Sequence, residues 1–233
     1  MAEVEKQSVE NYSFDERLII ENVGIKGAQL FFKIIDEREF NSEVIFLIGK
    51  GNNGADGMAI ARHLDNQGIR TRAFVFFSES ECKPELLHQI EMAKNYGVPV
   101  NFVETAAQLS GYFDQMGSDV VVDALFGTGV QLPLSNVMYE VIEIVNESSS
   151  FTLSIDIPSG IEGDTGLMSG KAIDADLTMA IGFPKLGHYI SDGSKKVGQI
   201  EVLDVGFPAQ FNNEGNKFLL KPEHMVDLVE RRD

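Results

Sequence analysis

Five short, nearly continuous apolar runs, at residues 44–48, 73–77, 120–126, 151–157 and 178–181, constrain this chain more than any other feature. Each is bounded by Gly, Pro, Asn, Asp or Ser, and runs of that kind suit strands covered on both faces. Amphipathic stretches lie between them, near residues 57–67, 84–96 and 135–146, with Pro84 fit for a first helical turn and Ser135 for an N-cap. Strand and helix in alternation predict right-handed β-α-β units around a mostly parallel sheet, an α/β/α sandwich of three layers. A helix is also predicted over residues 13–36, where Ile20, Val23, Gly27, Phe31 and Ile34 recur at three or four residues and Ser13 with Glu16 spells a capping box. Residues 156–174, rich in Gly and polar side chains, read as a long ordered loop, the kind that carries function in compact domains. A strand near 199–203 and a helix from about Pro222 complete a single domain spanning residues 1–233, since no repeat, low-complexity tract or composition break marks a linker.

Composition narrows the setting. With 233 residues, 43% of them apolar, the chain can bury a large core without a disulfide or metal staple. The lone cysteine, Cys82, excludes a disulfide framework and a Cys-based zinc site, and points to a reducing compartment. Nineteen Lys and Arg against 36 Asp and Glu give a formal charge of -17, which repels a phosphodiester backbone, so nucleic acid is not an expected partner. The first ten residues carry acids and no apolar core, unlike a signal or transit peptide, and no stretch approaches the roughly 18 apolar residues of a membrane helix. A cytoplasmic protein with no membrane partner is the expectation.

Three loops carry the chemistry. Gly49-Lys50-Gly51-Asn52-Asn53-Gly54-Ala55-Asp56-Gly57 follows the first strand and opens a helix, so Gly49, Gly51 and Gly54 match the dinucleotide fingerprint G-x-G-x-x-G in its required context. Asp56, however, falls in the predicted first helical turn, where a pyrophosphate needs open positive potential. Two Asn amides and a carboxylate around exposed backbone suit a sugar, an amide or a cation; the plainer alternative is a tight Asn53-Gly54 turn with Asp56 as an N-cap. The second loop, Asp123-Ala124-Leu125-Phe126-Gly127-Thr128-Gly129, ends an apolar strand with an Asp that is costly to bury unless paired, and its Gly-Thr-Gly amides can cradle a phosphate oxygen. The third, Ile155-Asp156-Ile157-Pro158-Ser159-Gly160, again ends a strand on Asp, and Pro158 stiffens the turn that presents Ser159. The plainer alternative for either loop is a simple strand-end cap or turn. In an open parallel sheet, though, ligands bind at the carboxyl ends of strands where the connections diverge, and all three loops lie at such ends.

Convergence allows two kinds of chemistry. The Asn53 carbonyl, the Asp123 carboxylate and the Ser159 hydroxyl, with backbone carbonyls, make an oxygen-only site of one negative charge, better suited to a hard, weakly charged cation than to Zn²⁺ or Mg²⁺. Asp123 and Asp156 can alternatively serve as general acid and base, because neighbouring carboxylates push their pKa values apart. His63, His88, His188 and His224 are scattered and read as solvated surface. Lys185, after a predicted strand, reads as either a surface lysine or a cation offered to phosphate. Cys82 lacks an activating base.

Together GKGNNGADG, VDALFGTG, SIDIPSG and FPKLGH, with the earlier Glu21-Asn22-Val23-Gly24, resemble the NAD(P)H-hydrate epimerase family, also called the YjeF amino-terminal domain, over about residues 18–190. The resemblance implies a Rossmann-like domain that interconverts the two epimers at C6 of hydrated NADH or NADPH (NADHX and NADPHX), cofactors damaged by addition of water to the nicotinamide ring. It implies substrate contacts from Asn52, Asn53, Gly54, Ala55 and Asp56, from Gly127, Thr128, Gly129, Val130, Gln131, Leu132 and Pro133, and from Asp156. It also implies one potassium ion per subunit held by Asn53, Asp123 and Ser159. Epimerisation at C6 needs proton transfer at the hydroxyl oxygen, which a carboxylate can supply, and Asp123 or Asp156 is the expected catalytic group. Ala55 stands where the family has the second Gly of NNGGDG, a methyl expected to narrow the ligand approach or demand a negative φ, and Val23 stands for the usual Ala. Relatives often add a nucleotide-dependent dehydratase domain; at this length the chain is expected to be a stand-alone, homodimeric epimerase that feeds a separate dehydratase.

Two other classes compete. An NAD-dependent dehydrogenase would share the first loop, but wants an acid near the end of the second strand, matched only loosely by Glu79, and a hydride-transfer constellation that nothing supplies. A non-catalytic nucleotide-binding or scaffold module would have no need of buried carboxylates at strand ends.

Overall fold

In the computed structural model, which describes residues 2–38, 40, 43–116 and 118–213, the five apolar runs become strands β1 (Val44–Ile48), β2 (Thr71–Val75), β4 (Val120–Ala124), β5 (Phe151–Ile155) and β6 (Leu177–Ile181), the strand expected near 199–203 becomes β7 (Gln199–Leu203), and a short β3 (Val100–Phe102) joins them. All pair in parallel, in the order β3-β2-β1-β4-β5-β6-β7. The helices are α1 (Ala2–Tyr12), α2 (Glu16–Arg38), α3 (Asn52–Asp65), α4 (Pro84–Tyr96), α5 (Ala106–Met116), α6 (Asn136–Glu147) and α7 (Gly193–Lys196). Strand pleating divides the core. Val44, Phe46 and Ile48 pack with α2, α3 and α4, while Ile45 and Leu47 pack on the other face with α5 and α6. This is the three-layer α/β/α sandwich.

Several boundaries differ from the sequence expectation. The helix expected over 13–36 is two helices, broken where Ser13 takes φ 54°, a conformation that an extended N-cap cannot have. Asp15 caps α2 instead, its Oδ1 accepting Arg17 N at 2.8 Å, so the Ser13–Glu16 box does not form. The strands β4 and β5 stop two residues short of their apolar runs, because Leu125 and Ile157 are buried in the loops that follow rather than paired in the sheet. The helix α3 starts at Asn52, with Gly51 as N-cap, so Asn53-Gly54 is helical and not a tight turn. Ser135 caps α6 as expected, accepting Met138 N. The helix expected from Pro222 lies outside the described residues. Among those described, no helix is long and apolar enough to cross a membrane.

Candidate active site

Chain order reverses between β1 and β4, so the connections that leave these strands diverge and open a crevice at their carboxyl ends. The two loops meet at Gly49, whose N–H donates to Ala124 O at 3.0 Å. A Cβ there would lie 1.7 Å from Leu125 O, so only glycine permits the approach. Above them opens a cavity of about 1040 Å³, a dinucleotide-sized space, roofed by Glu5 and Val9 of α1 and by Glu16, Ile19 and Ile20 of α2.

The first turn of α3 forms one wall. Asn52 is held from two sides, its amide donating to the Glu16 carboxylate and its Oδ1 accepting Lys83 Nζ at 3.0 Å. Asn53 is 8% exposed, yet neither its Oδ1 nor its Nδ2 has a partner among the described residues. Asp56 is the fifth residue of α3, and that helix carries no acid in its first turn, so Asp56 is no N-cap and the helix N-terminus keeps the open positive potential a pyrophosphate requires. Its side chain lines the cavity and makes no hydrogen bond among the described residues. Burial, followed by the charges of Asp156, Glu5 and Glu16, pushes its pKa well above the carboxylate range.

The loop after β4 supplies the opposite wall through Gly127, Thr128, Gly129, Val130, Gln131 and Pro133. Here the three loops touch. Thr128 N donates to Asp156 Oδ2 at 3.3 Å, and a Cβ on Gly127 would stand 3.2 Å from that same oxygen and 3.5 Å from Asn53 Cγ. Gly54, Ala55 and Leu132 do not face the cavity. The Ala55 methyl is buried in the core beneath α3, so it does not narrow the ligand approach, and Leu132 packs on the α5–α6 side.

Below this floor Asp123 is fully buried. Its Oδ1 accepts Ser159 Oγ (2.6 Å) and Leu125 N (3.2 Å); its Oδ2 accepts Ser154 Oγ and Ser159 N, both at 2.8 Å. Burial raises its pKa while these donors oppose the rise. Asp123 and Asp156 are therefore no carboxylate dyad: each has its own partners, and those of Asp123 are all neutral.

Asp156 is set differently. It takes φ 69° at the end of β5, and Ile157 N bonds back to Ile155 O across it at 2.9 Å, a γ-turn with its central residue in the strained left-handed form. The next strand repeats the device around Gly182, φ 66°, with Phe183 N to Ile181 O at 2.7 Å. From that second turn the chain leads to Lys185, whose ammonium donates to Asp156 Oδ1 and, at 2.9 Å, to Ile181 O. Lys185 is 7% exposed, which corrects the reading of it as a surface lysine or a phosphate ligand. His188 is buried too, with Nδ1 accepting Lys185 N at 3.2 Å and Nε2 donating to Asp156 O at 2.8 Å. Burial first, then the Lys185 charge, lowers its pKa. Of the other histidines read as solvated surface, His63 bonds Glu21 beside Arg62 and His88 is half-buried on α4, while His224 lies outside the described residues. The thiol of Cys82 is pushed up by burial and by Glu81, the reverse of activation. Glu79, in the turn after β2, does not line the cavity.

The arrangement can hold a dinucleotide along the α3 N-terminus and exchange a proton at the Asp156 carboxylate, backed by an ammonium. A sequence model of the family described as YjeF-related protein N-terminus matches residues 16–187. The chain is 34% identical over 230 residues to the bifunctional NAD(P)H-hydrate repair enzyme of Thermofilum pendens, covering 98% of this chain and 43% of that one. It is 33% identical over 222 residues to the NAD(P)H-hydrate epimerase of Weissella koreensis (90% and 95% covered) and 31% over 208 residues to that of Rhodopirellula baltica (89% and 82%). It thus spans well under half the length of the bifunctional relatives, 43% and 39% in two of them. The crystal structure of yeast ynu0 shares the fold, with a TM-score of 0.73 at 23% identity over 86% of this chain and 84% of that one.

Proposed function

The chain belongs to the YjeF-related protein N-terminal family, and from that membership we propose that it interconverts the R and S epimers of hydrated NADH and NADPH at nicotinamide C6, in repair of the cofactor. The observation that carries the reading is the buried Lys185–Asp156 pair at the floor of a dinucleotide-sized cavity. Epimerisation proceeds by loss and re-addition of water or by ring opening; the first needs a proton placed on the C6 oxygen, the second needs one removed from it. Asp156, with one carboxylate oxygen on the Lys185 ammonium and the other toward the cavity, can give and take that proton. Asn52, Asn53 and the 127–133 loop orient the cofactor, and Asp123 holds the turn at Ser159.

The residues also fit a monovalent cation, potassium, one per subunit. Among the described residues Asn53 Oδ1 is buried and unpartnered, and Asp123 brings one negative charge that no cation meets. Ser159 Oγ, also 3.4 Å from Phe126 O, can redirect its proton and free an Asp123 oxygen. Asn53, Asp123 and Ser159 would hold the ion, which when bound supplies a fixed positive charge beside the nicotinamide end of the cavity.

The bifunctional relatives support a separate dehydratase as functional partner. The exposed Val9, Tyr12, Leu18 and Ile25 of α1 and α2 offer apolar surface for a homodimer, and the cytoplasm is the setting that fits a soluble-cofactor substrate. The test is direct: a single epimer of NADHX or NADPHX is incubated with the protein and its equilibration followed by chiral chromatography. Equilibration well above the spontaneous rate is expected; none above it would refute the reading.

A further inference from the structure

A carboxylate that exchanges a proton with substrate, and the ammonium that backs it, must be held more tightly than their own ion pair can hold them, because each can move away on a flexible stem or turn. Lys185 lies in the connection after β6, and Asp156 lies in a strained turn after β5. One side chain touches the backbone of both. Lys185 N–H can only donate, so His188 Nδ1 carries the lone pair; Asp156 O can only accept, so His188 Nε2 carries the hydrogen. The two bonds therefore demand one neutral tautomer. The ring is 1% exposed, and His188 N–H closes the turn by donating to Lys185 O at 3.1 Å. The main-chain N–H of Asp156 is taken by Met179 O at 2.7 Å, so with the imidazole on its carbonyl both main-chain polar groups of that residue are fixed.

We propose that His188 is the positioning residue of the Asp156–Lys185 pair, its neutral Nε2–H imidazole tying the backbones of both so that carboxylate and ammonium stay in register. The inference rests on the assignment of that pair as the proton-transfer couple. It gives His188 no contact with substrate, and its loss acts on kcat through Asp156.

The experiment uses the full chain with His188→Phe, which keeps the ring and removes both bonds, His188→Gln, which can restore the donor to Asp156 O, and each in combination with Asp156→Asn. A fall in kcat of about 10–100-fold in His188→Phe is expected, with KM within about twofold, partial rescue in His188→Gln, and no further loss when His188→Phe is added to Asp156→Asn. A His188→Phe enzyme with wild-type kcat, or one that loses as much again in the Asp156→Asn background, overturns the proposal. Nitrogen-detected NMR of the wild-type imidazole reads the tautomer without substrate: a proton on Nε2 supports the proposal, and one on Nδ1 overturns it. Wild-type protein that equilibrates no epimer defeats the epimerase reading alone, and the tautomer then decides the question of His188.

Discussion

Lys185 and Asp156 form an ion pair whose side chains are 5% and 11% exposed, drawn from the ends of neighbouring strands and wedged between two γ-turns. At such burial each charge is offset chiefly by the other, with Ile181 O and Thr128 N adding one hydrogen bond apiece, so removing one partner leaves a buried charge without its counter-charge, at a cost of about 3–5 kcal/mol. Asp156→Asn and Lys185→Met are each expected to lower Tm markedly, while the double variant Asp156→Asn/Lys185→Met recovers much of the loss. Activity follows the opposite logic: each single change lowers kcat by roughly 10²–10⁴-fold and the double variant recovers none of it. Thermal unfolding beside epimer chromatography checks both; additive losses of stability would contradict the coupling.

How far the sequence announced this site depends on the residue. The switch point was legible because buried parallel strands write themselves as apolar runs, and the residues at their ends then fall together by topology, Asn53 beside Gly127 and Asp123 on Ser159. Lys185 and His188 were not legible. Their partners are strand-end backbone and a carboxylate about thirty residues away, and nothing in the local pattern separates a buried lysine from a solvated one. The one cue the chain carries is positional: Lys185-Leu186-Gly187-His188 begins four residues beyond the end of β6, on the side of the sheet where the site forms, and residue type alone does not say that it is buried. The helix α5 and strand β3 were missed for other reasons: β3 has three half-buried residues, too few for a run, and in α5 the helical spacing of Ala106, Leu109, Tyr112 and Phe113 is offset by Ser110 and Gly111, weak helix formers that lower its propensity.

Asp56 fixes a pH dependence of stability. Its folded pKa stands well above the ordinary carboxylate value, from burial first and then from Asp156, Glu5 and Glu16. Between those two values the folded state holds a proton that the unfolded state has released, so stability is full below about pH 4 for this group and declines as pH rises through the raised pKa. Asp56→Asn removes the dependence. At neutral pH the variant is expected to unfold at higher temperature than wild type, by roughly 2–4 °C for each kcal/mol relieved, and the two Tm curves should converge toward acid. Curves that stay parallel across the range would contradict the assignment.

Tyr139 braces the cavity wall. Its hydroxyl accepts Leu134 N at 3.1 Å and donates to Ser169 O, tying the end of the 127–133 loop to the long loop after β5. Tyr139→Phe removes both bonds, worth about 1 kcal/mol each. On the proposed reading the loop binds cofactor without exchanging its proton, so KM should rise several-fold while kcat stays near wild type. Initial rates across substrate concentration separate the two, and a fall in kcat at constant KM would place the loop in the chemistry instead.

Potassium should be visible without turnover. An ion that binds only the folded protein stabilises it by RT ln(1 + [L]/Kd), about 2.7 kcal/mol at a hundredfold excess over Kd. Asn53 Oδ1 is the one proposed ligand atom that lacks a partner among the described residues, so it contributes most to selectivity for the ion and least to the structure without it. Wild-type protein is expected to melt at higher temperature in potassium than in tetramethylammonium at equal ionic strength, and Asn53→Ala to lose that difference. Because Asn53 has no hydrogen bond to forfeit, the variant's Tm in tetramethylammonium should stay close to wild type. An ion effect that survives Asn53→Ala would move the site elsewhere, and no ion effect in wild type would remove it.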